Sequence, residues 1–160
     1  MTSKPSTATA PTMPASFLGI NHLKLPANDI IATRDFYVSH FPFTYLPQYD
    51  HFTPEHTLFA VMIMHEPTKL IVEIRHHPAQ AAAQRGWDPV TWGVDTRSDL
   101  EDWARWLGAR GVTHSSRVFT GIKGWVLGAE DPDGKIVRIY CNEEHEWTDH
   151  PDQDAYWLGN

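Results

Sequence analysis

Hydrophobic and polar positions alternate with a period of two along several short runs, broken twice by a stripe of helical spacing. From Phe17 to Leu25, Leu23 and Leu25 fall on one face and Ile20, His22 and Lys24 on the other, which predicts a strand ended by Pro26. Asn28 or Asp29 can cap a helix running to about His40, with Phe36 and Tyr37 on its buried side and Pro42 closing it. Phe43 to Asp50 and Leu58 to Met64 read as two strands joined by a polar loop that holds His51, Pro54 and His56. Lys69 to Arg75 is a third, in which Leu70, Val72 and Ile74 alternate with Ile71, Glu73 and Arg75.

After a helical linker from Ala79 to Arg85, ended by Gly86, the order repeats. Pro89 to Asp95 predicts a strand with Val90, Trp92 and Val94 on one face, and Ser98-Asp99-Leu100-Glu101 reads as a capping box opening a helix. Leu100, Trp103 and Leu107 form the apolar stripe of that helix, and Gly111 caps its end. Val112 to Phe119, Trp125 to Ala129 and Lys135 to Cys141 supply three further strands. The chain thus reads as two β-α-β-β-β modules, residues 17–76 and 88–142, forming an internal repeat. Each module buries its helix on one sheet face and leaves the other free to curl round a cavity, an α+β architecture.

The last strand organises the chemistry. The turn Asp131-Pro132-Asp133-Gly134 feeds a run that puts Ile136, Arg138 and Tyr140 on one face and Val137, Ile139 and Cys141 on the other. The second face is core. The first holds a charge at its centre, which a packed face does not keep without a partner.

The same alternation gathers residues of four strands on the helix-free side: Ile20, His22 and Lys24; Ile71, Glu73 and Arg75; Pro89, Thr91 and Gly93; Ile136, Arg138 and Tyr140. An imidazole, a carboxylate, three cations, a hydroxyl and a phenol therefore share one space. A face packed on another sheet would be mostly aliphatic, and a solvated face would scatter its Lys, Glu and Thr. Here the polar residues stand mid-strand, beside isoleucines on three of the four strands.

Composition narrows the partners. A net charge of -7 without any basic run argues against nucleic acid. The single Cys excludes an internal disulfide and fits a reducing compartment, so a cytoplasmic protein is expected, and no apolar stretch has the length of a membrane span. Residues 1–16, rich in Ser, Thr, Ala and Pro, read as a disordered tail. Residues 143–160 are acidic but hold Trp147, Tyr156 and Trp157, and are expected to pack on the body or on a second subunit.

Ile20-Asn21-His22-Leu23, Arg34-Asp35-Phe36-Tyr37, Trp92-Gly93-Val94-Asp95 and the Asp131-Pro132-Asp133-Gly134 turn follow one another within about residues 17–142. In that order they resemble the vicinal oxygen chelate superfamily, which includes glyoxalase I, extradiol dioxygenases and bleomycin-resistance proteins. It implies a glyoxalase-like fold, and a divalent metal held by one His or Glu from each of four strands. Carried over, the ligand positions fall on His22, on Glu73, near Pro89 and on Arg138. Pro has no donor atom to offer and Arg is cationic at any accessible pH, so two ligands are kept and two are lost. Asp88 is the candidate replacement if the register shifts by one. The resemblance also implies a homodimer in which strands of both subunits border each cavity.

The leading expectation is a metal-independent enzyme, an isomerase, cyclase or lyase, moving a proton next to a carbonyl on a small anionic molecule. His22 and Glu73 would be acid and base, and Arg138 would stabilise charge in place of a metal. Lys24, Arg75, Thr91, Tyr140 and Trp125 are candidate substrate-binding residues. The alternatives are a metal-dependent dioxygenase or glyoxalase-like lyase, with His22 and Glu73 holding iron, zinc, nickel or manganese, and a protein that binds or sequesters a small molecule. Arg138 paired with Glu73 would be a structural salt bridge instead. His76 and His77 point to opposite faces and cannot chelate jointly, and Cys141 lies on the buried face.

Overall fold

The computed structural model describes residues 18–146 and 154–158; the expected N-terminal tail lies outside them. The first module is β1 (His22–Ala27), α1 (Ile30–His40), β2 (Phe43–Tyr45), β3 (His51–Phe52), β4 (Leu58–His65) and β5 (Leu70–His76). After α2 (Pro78–Ala83) come β6 (Thr91–Val94), α3 (Arg97–Ala109), β7 (Phe119–Thr120), β8 (Trp125–Glu130) and β9 (Ile136–Cys141), with α4 (Ala155–Leu158) near the end. The first sheet has the order β1-β5-β4-β2, with β3 on β4, and the second the order β6-β9-β8-β7. In both, the opening strand lies parallel to the last strand of its module, and the remaining pairs are antiparallel. The architecture is α+β: both modules follow the βαβββ plan, the first with the two-residue β3 as an additional strand, so that its sheet has five strands and that of the second has four.

Local chemistry explains where the elements depart from the periodic reading. Strand β1 runs through Pro26, because it borders only β5 and an edge strand tolerates a residue without N–H. Asp29 caps α1, its Oδ1 accepting from the amides of Ile31 and Ala32. The expected long strand from Phe43 stops at Tyr45, since Pro47 opens a 3-10 turn ending at Tyr49. The capping box of α3 is Thr96 with Asp99, not Ser98 with Glu101: Thr96 Oγ1 accepts from the Asp99 amide and Asp99 Oδ2 from the Thr96 amide. Between Val112 and Phe119 only a bridge from His114 to Ala129 forms. There the Ser115 hydroxyl donates to the Arg117 carbonyl, a local bond that competes with a ladder.

The helix-facing sides of both sheets share one core. Leu25, Tyr37, Phe43, Val61, Ile63, Val72 and Ile74 of the first module join Leu100, Leu107, Leu127, Val137, Ile139 and Cys141 of the second. Phe41 stacks on Trp103, and the Trp106 indole donates to the His40 carbonyl, which ties α1 to α3. Removing one fully buried leucine such as Leu100 costs about 3 kcal/mol in such a setting.

The Asp131–Gly134 turn is locked from below. Lys135, fully buried, places its ammonium 2.9 Å from Asp131 Oδ2 and 3.3 Å from Asp133 Oδ2. Burial pushes the Asp131 carboxyl above its usual range, although Lys135 pulls the other way. Gly134 closes the turn at φ +76, a conformation that L side chains rarely adopt. Asp133 also accepts from the amide of Asn28, at 3.2 Å, across the module boundary.

Candidate ligand site on the helix-free sheet faces

On the first sheet, strand pairing aligns Lys24, Glu73 and Met62 in one row and His22, Ile71 and Met64 in the next. Glu73 is the centre. Its side chain is only 3% exposed, yet three positively charged or basic groups converge on it. Arg75 Nε donates to Oε1 at 2.7 Å, while Lys24 Nζ and His22 Nε2 each stand 3.4 Å from Oε2. Burial alone pushes the Glu73 carboxyl up. The hydrogen bond and charge of Arg75, joined by those of Lys24, outweigh it and hold the group below its ordinary range.

The partners reach further out than the carboxylate. The side chains of Lys24 and Arg75 are 54% and 42% exposed, and that of His22 is 29% exposed, so a ligand meets them before it meets Glu73. His22 Nδ1 is bonded to the side chain of the exposed Asn21 at 2.8 Å, leaving Nε2 directed at the carboxylate. The Arg75 guanidinium carbon lies 5.2 Å from the centre of the Phe59 ring.

On the second sheet the corresponding row is Thr91, Arg138 and Gly128, followed by Gly93, Tyr140 and Val126. Arg138 is buried, and its Nε stands 2.6 Å from Asp88 Oδ2. Asp88 is brought there because its segment is pinned along β9: Gly86 N donates to Gly134 O and Ile136 N to Trp87 O. Arg138 Nη2 also donates to the backbone carbonyl of Tyr156 at 2.8 Å. The Tyr156 hydroxyl donates to Glu130 Oε1 at 2.8 Å, and its ring lies on Gly128, where a Cβ would come within 2.8 Å of it. Burial, the Glu130 bond and nearby carboxylates push the Tyr156 phenol up to about 12.

The expected residues therefore divide. His22, Lys24, Glu73 and Arg75 come together on the first sheet, and Thr91, Arg138 and Tyr140 on the second. Trp125 shares the core side of β8 with Leu127 and Ala129, where Arg97 lies 3.9 Å from its ring centre. Asp88, considered as a metal ligand, is the partner of Arg138. Asp88, Gly128 and Tyr156 were not singled out from the sequence as partners of Arg138. A lone glycine inside an apolar strand signals a close approach, and that signal stands at Gly128.

A divalent ion does not fit the donors of one chain. His22 and Glu73 supply two, and two cations lie against the same carboxylate. Among the described residues no three His, Cys, Asp or Glu side chains form a group able to hold a metal ion, and no helix is long and apolar enough to cross a membrane.

The sequence model of the Glyoxalase/Bleomycin resistance protein/Dioxygenase superfamily matches residues 19–139. The chain belongs to that superfamily. Its fold is similar to that of TnmS3, an antibiotic binding protein from Streptomyces sp. CB03234, at TM-score 0.63 and 18% identity over 80% of this chain and 98% of that one. A mutant of the fosfomycin resistance protein FosX from Listeria monocytogenes, complexed with manganese(II) and a dihydroxypropylphosphonic acid, superposes at TM-score 0.60 and 14% identity, covering 78% and 90%. Lactoylglutathione lyase from Agrobacterium tumefaciens gives 0.58 and 14%, covering 79% and 95%. No curated protein matches the sequence.

Proposed function

We propose that the chain binds a small anionic molecule bearing a carbonyl on the helix-free face of its first sheet and moves a proton beside that carbonyl, as an isomerase, cyclase or lyase. The observation that carries this reading is the buried Glu73 carboxylate held against the more exposed His22 imidazole, with two half-exposed cations beside it. His22 is the proton carrier, because its ring is the member of the pair a ligand can touch. Glu73 orients it and stays ionised. Lys24 and Arg75 attract the anion and stabilise the oxygen that gains charge when a carbon-bound proton passes to His22 and its electron pair enters an enolate. Return of that proton to a different carbon completes an isomerisation. The reading extends to a homodimer, in which a second copy sets its Arg138-bearing second-sheet face opposite the first-sheet face of its partner.

The test is exchange of carbon-bound hydrogen in small 2-oxo carboxylates in heavy water, followed by proton NMR. His22→Gln is expected to slow exchange by about a hundredfold or more while ligand-induced thermal stabilisation is kept. Undiminished exchange in that variant sinks the reading. A second reading, sequestration without chemistry, draws support from the likeness of the fold to TnmS3, an antibiotic binding protein. Binding without exchange in the wild type selects it.

A further inference from the structure

The second helix-free face is occupied by part of the chain itself. Helix α4 contributes Tyr156, whose ring rests on the bare backbone of Gly128, whose hydroxyl donates to Glu130, and whose carbonyl accepts from Arg138. These three contacts satisfy different demands. Gly128 offers a slot that any larger residue closes, Glu130 accepts from the hydroxyl, and Arg138 Nη2, beside the Asp88 pair, donates to the carbonyl oxygen. The group that meets all three is a phenol joined through two carbons to a carbonyl, which is what the tyrosine side chain and its own peptide group amount to. Arg85 and Glu130 line a cavity of about 490 Å³ beside the ring, so the face continues past the tyrosine into open volume.

We propose that the helix-free face of the second sheet is a binding site for a hydroxyaryl carbonyl compound, and that Tyr156 occupies it as an internal surrogate for that ligand. The proposal rests on the reading that the helix-free faces take carbonyl-bearing molecules, and it adds the aryl hydroxyl and the competing chain segment. A ligand enters by displacing α4, so its apparent affinity is lowered by the fraction of molecules in which the tyrosine is seated. The carboxylate of Glu130 selects for the hydroxyl, because an aryl group without it leaves a half-buried acceptor unmatched.

The probe is p-hydroxybenzylacetone, which carries the side chain of tyrosine on a methyl ketone at the same spacing, with benzylacetone as its partner lacking the hydroxyl. Both are titrated by calorimetry into the full-length wild type and into Tyr156→Ala and Tyr156→Phe, each variant first shown to keep the wild-type circular dichroism spectrum. Tyr156→Ala is expected to bind p-hydroxybenzylacetone about tenfold more tightly than the wild type, Tyr156→Phe by an intermediate step, and benzylacetone about tenfold more weakly than its hydroxylated partner. Adding Gly128→Val to Tyr156→Ala should abolish the gain by filling the slot. Equal affinity of wild type and Tyr156→Ala overturns the proposal, as does equal affinity for the two ketones. Loss of hydrogen exchange in His22→Gln without any gain in Tyr156→Ala leaves the proton-transfer reading standing and removes this one. The gain without exchange in the wild type does the reverse.

Discussion

The two sheets carry charges of opposite sign at matching places. In the first, the centre of the helix-free face is a carboxylate, Glu73, ringed by His22, Lys24 and Arg75. In the second it is a guanidinium, Arg138, held by Asp88 and capped by the carbonyl of Tyr156. The difference lies in what a newcomer meets. On the first face the buried charge is reached through exposed partners that retain their contact with water, so the cluster is open to exchange of partners. On the second face the buried charge is closed by a backbone oxygen of α4 and a carboxylate from a pinned segment. A repeated module has thus yielded one face whose central charge is ringed by exposed groups and one whose central charge is satisfied by a loop carboxylate and a helix carbonyl.

The sharpest way to break this contrast is to remove the two centres in turn. Arg138→Met should cost about 3 kcal/mol in urea unfolding, the low end for breaking a buried pair, because Asp88 keeps some access to water. Glu73→Gln should cost less, about 1–2 kcal/mol, since the stranded Lys24, Arg75 and His22 can turn to solvent. Equal costs would erase the distinction between a closed centre and an open one.

Acid sharpens the comparison further. The folded-state pKa of Glu73 is depressed, so the stability it contributes is present above the unfolded value and is lost as pH falls through the folded one. The gap between wild type and Glu73→Gln should therefore hold near neutrality and close below about pH 4. The smallest effect is spectroscopic. The wild type minus Tyr156→Phe difference titration should show a phenol ionising near 12, and a midpoint at the ordinary tyrosine value would mean that Glu130 and burial do not act on it.

Most of the first face was legible from alternation. A period of two places His22 and Lys24 beside Glu73 and Arg75 once their strands are adjacent, and the β1–β5 ladder makes them so. Alternation also put Arg138 on the correct side of β9. What it could not give were contacts from segments without a strand's periodicity. Asp88 lies in a loop whose position is set by backbone bonds to β9, and Tyr156 belongs to a short helix beyond the repeat. Trp125 shows the opposite limit. Its indole suggested a pocket wall, but register with Cys141 sends it to the core side. Lys135 is the residue sequence rules misjudge most, since a lysine after a turn reads as solvated and this one is fully buried between carboxylates.

That lysine has a consequence for how the molecule opens. The turn it locks presents Asp133 to the amide of Asn28, a partner 105 positions earlier in the chain. A contact of such sequence separation forms only once both modules have been drawn together. That bond lies at the surface, so the Asn28 amide trades its hydrogen with water through local opening of this one contact, whereas the hairpin amides of β8 and β9 do so only when the second sheet itself comes apart.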